Sequence, residues 1–330
     1  MGVDREIFKQ SISGLLPVYK PVGVVSKDIS RQILRILKSL GENFGRISIG
    51  HVGTLDPLAS GVLPVLLEDA TKLQDYLLDF PKVYEFDIKF GIETNTLDLE
   101  GDIVCRDENP SVSELSLKNA MLSFVGPIEQ IPPLYSAVKF NGKPLYKYVR
   151  RGEAETIDIN RLSRRVVVHS LSLISLDNLV GRFEVKCSKG TYVRVLAKDL
   201  ARKIGTYGSV IRLLRKSAAG ISLTQCIDLN TINFKEIAAF IIPTNKIHLE
   251  FPCWVAAPEI RSKLYAGQKL AMDYEAFKKS LISYENAVNT FIHECQDVQL
   301  RSMDGYLFGI GCAKKDNLGN VIVHMKRGLL

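Results

Sequence analysis

No stretch of the 330-residue chain approaches the 18 or so apolar residues of a membrane-spanning helix, so no membrane span is expected. The opening residues, Met1 to Glu6, contain two acids and no apolar signal core, and Glu6 spoils a myristoylation pattern. Cysteine is sparse: Cys105, Cys187, Cys226, Cys253, Cys295 and Cys312 are scattered, with no C-x-x-C pair. That spacing predicts neither a structural metal nor a disulfide framework and fits a reducing cytoplasm. What the chain has in quantity is apolar content, 46% of residues, enough for one large core and a smaller one, hence two domains.

Charge is the second informative quantity. The formal net charge of +7 is modest, but it is unevenly placed. Lys139–Arg165 holds eight basic residues against three acids, and Lys186–Lys216 nine against one, which leaves the remainder net acidic. Either run alone reads as a solvated face. Two together favour an electropositive groove for a nucleic acid, where each neutralised phosphate releases counterions. From Leu134 to Glu155, aromatic and basic residues interleave (Tyr135, Lys139, Phe140, Lys143, Tyr146, Lys147, Tyr148, Arg150, Arg151). The mixture suits stacking on bases and gripping phosphates; it is equally an exposed hairpin turning at Asn141-Gly142.

Helix and strand signals alternate without a regular βαβ rhythm, which predicts an α+β fold. Asp28 is placed to cap a helix over Ile29–Leu40, with apolar positions 29, 33, 36, 37 and 40 on one face, and Asp69 to cap another reaching Leu78. Val62–Leu67 reads as a buried strand. In Val83–Phe90, Tyr84, Phe86, Ile88 and Phe90 share one face and Glu85, Asp87 and Lys89 the other, so Tyr84 should look inward. A helix over Leu115–Val125 should stop at Gly126-Pro127, and Ile131-Pro132-Pro133 must be irregular. Strands are expected at Arg165–Ile174 and Arg182–Cys187. The turn Ser188-Lys189-Gly190 follows, and then a helix toward Ile204 that puts Arg194 at a strand-to-helix junction. Residues 228–246 read as a connector. From 247 onward, short runs such as Val321-Ile322-Val323 suggest a small β-rich barrel, and Gly309 and Gly311 suggest a hairpin connection.

The segment Gly50 to Gly61 (GHVGTLDPLASG) is the densest in chemistry. It holds a single carboxylate, Asp56, among three glycines and a proline that biases Asp56 toward an extended backbone. On these residues alone, a presented nucleophile and a surface turn whose Asp bonds its own backbone are both open.

Several ordered blocks resemble the tRNA pseudouridine synthase B (TruB) family. Gly50–Gly61 matches the active-site pattern G-H-x-G-x-L-D-P-x-A-x-G. Lys20-Pro21-Val22-Gly23 is similar to the early K-P-x-G block, with Val25 where Ser or Thr is usual. Lys82-Val83-Tyr84, continuing through Gly91, Thr94, Thr96, Asp98 and Gly101, resembles the second block. Pro132 to Lys139 with Gly142, Leu145 and Tyr146 resembles the third, with Val149 in place of Ala. Cys187 to Arg194 and Leu213-Leu214-Arg215-Lys216 match the last two. The likeness covers about residues 14–225.

The resemblance implies a catalytic domain over 1–240, with a largely antiparallel mixed sheet flanked by helices and an RNA-gripping insertion at about 132–157. A small PUA-like RNA-binding barrel over 247–330 would follow. It implies isomerisation of a T-loop uridine of tRNA (position 55) to pseudouridine, with no cofactor and no metal, by a cytoplasmic monomer acting without guide RNA or membrane. Absence of a Lys-rich tail and the Pro57-Leu58-Ala59 wording favour that stand-alone type. Asp56 is then the nucleophile, attacking ribose C1′ or uracil C6. Arg194 is its charge partner, offsetting the cost of desolvating a carboxylate. Tyr84 stacks on the flipped uracil and acts in deprotonating C5. His51 is an RNA wedge, and Tyr192 supports the pocket. Lys20, Lys139, Lys147 and Arg150 are RNA-contact candidates, and Asp98 and Thr96 hold a turn. The rival reading is a tRNA-binding or folding protein without catalysis, which the basic runs alone would equally support.

Overall fold

The computed structural model describes residues 11–39, 46–232, 234–282 and 295–329; the readings made for Met1–Glu6 and Leu40 lie outside them. The strands of the first half are β1 (Gly14–Lys20), β2 (Ile49–His51), β3 (Ala59–Leu67), β4 (Lys82–Phe90), β5 (Ile92–Thr94), β6 (Ile103–Arg106), β7 (Gly126–Gln130), β8 (Lys139–Phe140), β9 (Lys143–Pro144) and β10 (Arg164–Asp177). β11 (Val180–Cys187), β12 (Gly208–Ala218), β13 (Ile221–Ser222), β14 (Ile242–Pro243), β15 (Cys253–Val255), β16 (Leu270–Asp273), β17 (Leu281–Ile282), β18 (Gln296–Arg301), β19 (Leu307–Lys315) and β20 (Asn320–Gly328) follow. Helices are α1 (Ser26–Ser39), α2 (Gln74–Asp79), α3 (Glu114–Leu122), α4 (Leu145–Val149), α5 (Val193–Lys203), α6 (Pro258–Tyr265) and α7 (Tyr274–Ser280).

The period-two stretch Val83–Phe90 becomes β4, near the middle of a ten-stranded sheet ordered β14-β1-β3-β12-β4-β11-β10-β7, with β2 beside β3 and β13 beside β12. Among the described strands of this sheet, only the β3–β12 pairing is parallel. Phe86, Ile88 and Phe90 are buried as the alternation requires, and Phe86 stacks on Phe183 at 5.5 Å. They pack with Leu196, Ala197 and Leu200 of α5 and Leu117 of α3. Burying each large apolar side chain contributes about 1.5–3 kcal/mol. β3 is buried along its whole length because its two faces meet different clusters. Val62 and Leu66 join one; Leu63, Val65 and Leu67 meet Ile29, Ile33, Ile36 and Leu37 of α1 in the other.

A second sheet, ordered β16-β20-β19-β18-β15-β17, carries the β-rich C-terminal segment. Ile247, Leu249, Leu307, Ile310 and Leu329 share a core with Val62, Leu66 and Leu73. Lys72 Nζ donates to Gly328 O at 3.1 Å, and Arg327 Nη1 to Lys72 O at 2.6 Å. The two sheets therefore meet along an apolar seam with polar pins.

Local expectations shift in five places. Asp28 lies inside the first turn of α1 and ion-pairs with Arg31 at 2.7 Å instead of capping. The Asp69 helix splits into a 3-10 turn, Glu68–Leu73, and α2. The helix expected over Leu115–Val125 ends at Leu122, and Gly126-Pro127 opens β7. Gly309 and Gly311 lie inside β19, where added Cβ atoms would sit 2.8 Å from Arg327 O and 2.9 Å from Leu300 Cδ2 respectively; close strand approach, not a hairpin, needs them. Cys295 and Cys312 form a disulfide, against the expectation of none: β18 and β19 pair directly after Cys295 and bring together sulfurs 17 residues apart. Residues 228–246 join the large sheet through Ile242, paired with Leu15.

Candidate active site

The loop after β2 is fixed from beneath. Lys20 is fully buried, and its ammonium donates to Ala59 O at 2.5 Å, Pro21 O at 2.9 Å and Pro57 O at 3.4 Å. Burial, against the pull of Asp56, pushes its pKa down to about 8. Expected as an RNA contact, Lys20 instead braces the loop, because β1 pairs with β3 and sets Lys20 opposite Gly61 at the loop's end. Ser26, also fully buried, accepts from Leu55 N at 2.9 Å and donates to Leu55 O at 3.0 Å. Gly61 has φ +112°, and a Cβ there would lie 2.2 Å from Arg215 O, so only glycine lets β3 and β12 approach.

Asp56, held in this way, keeps 39% of its side chain exposed and ion-pairs through Oδ2 with Arg194 Nη2 at 2.8 Å. Arg194 is 4% exposed and sits in the first turn of α5. Its start is set by Gln130, whose Oε1 accepts from Tyr192 N at 2.9 Å and whose Nε2 donates to Tyr192 O at 3.3 Å. Both terminal nitrogens of Arg194 are engaged, while its buried Nε has no hydrogen-bond partner among the described residues. Besides Asp56, Arg194 meets Asp98 Oδ2 at 3.2 Å and donates to Thr96 O at 2.7 Å and Tyr135 O at 3.0 Å. Asp98 does hold the expected turn, accepting from Thr96 Oγ1 at 2.6 Å and Glu100 N at 3.1 Å. It is also the buried counter-charge behind the arginine, a role the local sequence did not suggest.

Thr54, Leu55, Asp56, Tyr84, Thr191, Tyr192, Val193, Arg194 and Leu213 line a cavity of about 90 Å³, the room of about three waters at ~30 Å³ each. Asp56, Tyr84, Arg194 and Tyr192 are thus brought together. Burial raises the Tyr84 phenol above its usual value; Arg215 opposes that shift, while Cys187 and Asp56 add to it. His51 lies outside this cavity, along a cleft of about 510 Å³ that also includes Lys27, Arg31 and Gln74. Its Nε2 is 3.3 Å from Thr54 Oγ1. Burial first, and Arg215 second, lower its pKa below 6.5, so the ring is neutral at pH 7.

Lys139, Lys147 and Arg150 are exposed on the β8–β9 hairpin and α4 and do not touch the cavity. The aromatics between them are used locally: Tyr148 meets Phe140 edge-on at 5.9 Å and donates to its carbonyl at 3.0 Å, and Arg150 lies over Tyr146 at 5.6 Å. The second basic run is less available than its count implied. Lys189 pairs with Asp79, Arg202 with Glu93, Arg212 with Glu85 and Asp87, and Lys216 with Glu184. Arg194 and Arg215 are buried. Arg215, Leu213, Gln130 and Ser26 were not singled out as site residues; only the matched Leu213–Lys216 block signalled two of them. Among the described residues no group of His, Cys, Asp and Glu is arranged to hold a metal ion.

Comparison with known proteins points the same way. Residues 42–193 match the family described as TruB family pseudouridylate synthase, N-terminal domain. tRNA pseudouridine synthase B of Clostridium kluyveri is 34% identical over 256 residues, 78% of this chain and 84% of that protein. The enzyme of the same name from Streptococcus agalactiae is 36% identical over 287 residues, 84% and 94% of the two chains. Among solved structures, a chain of a Cbf5-Nop10-Gar1 complex superposes with a TM-score of 0.70 at 21% identity, covering 99% of this chain and 87% of that one, a likeness of fold.

Proposed function

This chain belongs to the TruB family of pseudouridylate synthases and isomerises uridine to pseudouridine in tRNA; from that premise we propose that its target is the T-loop uridine at position 55, with Asp56 as nucleophile. The observation that carries this reading is the 2.8 Å pair between Asp56 and a 4%-exposed Arg194 at the mouth of a one-ring cavity. A binding protein gains nothing by placing a carboxylate where polyphosphate arrives, since it repels the ligand. A nucleophile must instead be held in one position, and the buried guanidinium fixes Asp56 through Oδ2.

The uridine leaves its stack and enters the cavity beside Tyr84 and Leu213. His51, neutral and set in the cleft next door, fills the space the base vacates. Asp56 attacks C1′ or C6; the uracil detaches, turns and rejoins through C5. Tyr84 then removes the C5 proton. Segment 132–157 grips the stem through Lys139, Lys147 and Arg150. It is tied to the site because Tyr135 O accepts from Arg194, so RNA engagement and the charge pair share one anchor. Residues 247–330 act as a PUA-like RNA-binding domain and 1–240 as the catalytic one. The chain works as a monomer without guide RNA, in keeping with its greater identity to the tRNA enzymes than to the Cbf5 chain. The chain acts in the cytoplasm on its tRNA substrate, and the reducing conditions there favour the dithiol form of Cys295 and Cys312.

The test is release of tritium from T-stem-loop RNA labelled at uridine C5, with Asp56→Asn beside the wild type. Release by the wild type and none by the variant, with RNA affinity intact, is the expected result. Equal release from both removes Asp56 from the chemistry. No release from either, with RNA still bound, leaves the folding-protein reading.

A further inference from the structure

Arg215 is the bulkiest fully buried side chain of the described residues, 1% exposed. Its Nε donates to Val62 O at 2.7 Å and its Nη2 to Gly53 O at 2.8 Å, tying together the two ends of the loop that presents Asp56. Arg194 is neutralised by two carboxylates; Arg215 forms no ion pair with any acid among the described residues. A guanidinium taken out of water without a counter-ion is a costly arrangement, only partly relieved by carbonyl dipoles. A hydrophobic residue of similar volume would fill the site more cheaply, so the charge itself calls for an explanation.

Strand register supplies one. In the β12–β4 pair Arg215 stands opposite Tyr84, and residues directly opposed in an antiparallel pair project to the same face. The pairing sets the guanidinium and the Tyr84 phenol side by side on one face of the sheet, and Arg215 opposes the upward shift that burial imposes on the phenol. The other titratable groups acting on that hydroxyl are Cys187 on β11, a thiol that burial pushes up to about 11 and so keeps neutral, and Asp56, whose charge disfavours a second anion nearby. Arg215 is the one cation among them.

We propose that Arg215 is the counter-ion of the Tyr84 phenolate, a positioning residue that makes the phenol a usable base for the final proton transfer. The inference rests on the reading of Tyr84 as that base. In the step, the C5–H bond of the rejoined ring breaks and its electron pair forms the C5=C6 double bond. The former C6=N1 pair moves to N1, which takes a proton from water. The C5 proton goes to the phenolate oxygen, and the phenol returns it to water before the next turnover. While the oxygen is charged, Arg215 is paired; when it is neutral, the guanidinium rests on the two loop carbonyls.

The test is the pH profile, from 6 to 10, of single-turnover tritium release at saturating RNA, for wild type, Arg215→Gln, Arg215→Lys and Tyr84→Phe. Arg215→Gln should release more than tenfold more slowly at pH 7.5, with its alkaline inflection more than one pH unit higher and RNA affinity within threefold of wild type. Arg215→Lys keeps a cation in the same space and guards against loss of folding; its inflection should stay near that of the wild type. Replacing Tyr84 by the more acidic 3-fluorotyrosine should restore most of the rate lost in Arg215→Gln, which no loop brace would do. Equal slowing in both Arg215 variants with an unmoved inflection and no rescue would overturn the proposal, leaving Arg215 a clamp. Wild-type release by Tyr84→Phe would instead remove Tyr84 as the base, a failure of the underlying reading that is recognisable without any Arg215 variant.

Discussion

Replacing Arg194 by lysine isolates geometry from charge. Arginine reaches four acceptors from one planar fork: Asp56 Oδ2 at 2.8 Å, Asp98 Oδ2 at 3.2 Å, Thr96 O at 2.7 Å and Tyr135 O at 3.0 Å. An ammonium has three hydrogens on a single point and cannot span them. It should settle toward Asp98, which is 3% exposed and cannot be left alone, and give up Asp56, which can be solvated. A charge-assisted hydrogen bond contributes about 1.5–3 kcal/mol. Lost from the reacting state only, that is roughly 10- to 150-fold in rate at about 1.4 kcal/mol per decade. Arg194→Met is the less informative change: stripping Asp98 of its buried partner costs about 3–5 kcal/mol of stability and confounds the rate. The assay is single-turnover tritium release, run beside an RNA-binding titration and a thermal melt. The expected result is a fall in kcat of one to two decades, Kd within threefold of wild type and Tm lowered by a few degrees. A weakened Kd with kcat untouched would mean that Arg194 holds RNA and not the carboxylate, and the pairing argument would fail.

Gly61→Ala should destabilise the chain by more than the ~1–3 kcal/mol of a strained backbone position, since its Cβ would lie 2.2 Å from Arg215 O and must part β3 from β12; an unchanged urea midpoint would contradict this. Lys20 and Lys82 have pKa values lowered by burial to about 8. Between pH 8 and the ordinary lysine value of 10.5 the unfolded chain therefore holds protons that the folded chain has released, and these two groups add stability as pH rises through that window. Urea unfolding at pH 7.5 and 9.5 should show a smaller gain for Lys20→Met than for wild type, and an equal gain would count against the burial argument. Neutralising Lys139, Lys147 and Arg150 together should weaken RNA binding and flatten its salt dependence by up to about 2–3 units of log–log slope, at about 0.7–0.9 per phosphate contact, with kcat at saturating RNA unchanged; a slope equal to wild type would remove these residues from the interface.

Much of the site was legible because its signals are local. The Gly50–Gly61 loop announces itself by three glycines and a proline around one acid, and the inward face of Tyr84 follows from alternation over eight residues. The role of Lys20 was misread for lack of depth: its chemical type suggested phosphate, while full burial opposite Gly61 turned it into a loop brace. The second basic run misled in a similar way. Glu85, Asp87 and Glu184 neutralise Arg212 and Lys216 from strands far off in sequence, and no count along the chain contains that pairing. Asp98 was assigned its turn correctly, yet its ion pair with Arg194 lies 96 positions away.

By itself the amino-acid sequence determined which residues could do chemistry and which faces must be buried, since backbone bias, periodicity and residue type act over a few positions. The tertiary structure alone decided which charges meet. Inserting β12 between β3 and β4 sets Arg215 against Gly61 and Tyr84, and pinning the start of α5 with Gln130 aims Arg194 at both Asp56 and Asp98. Coulomb energy depends on distance through space and on exclusion of water, and neither quantity is written along the chain.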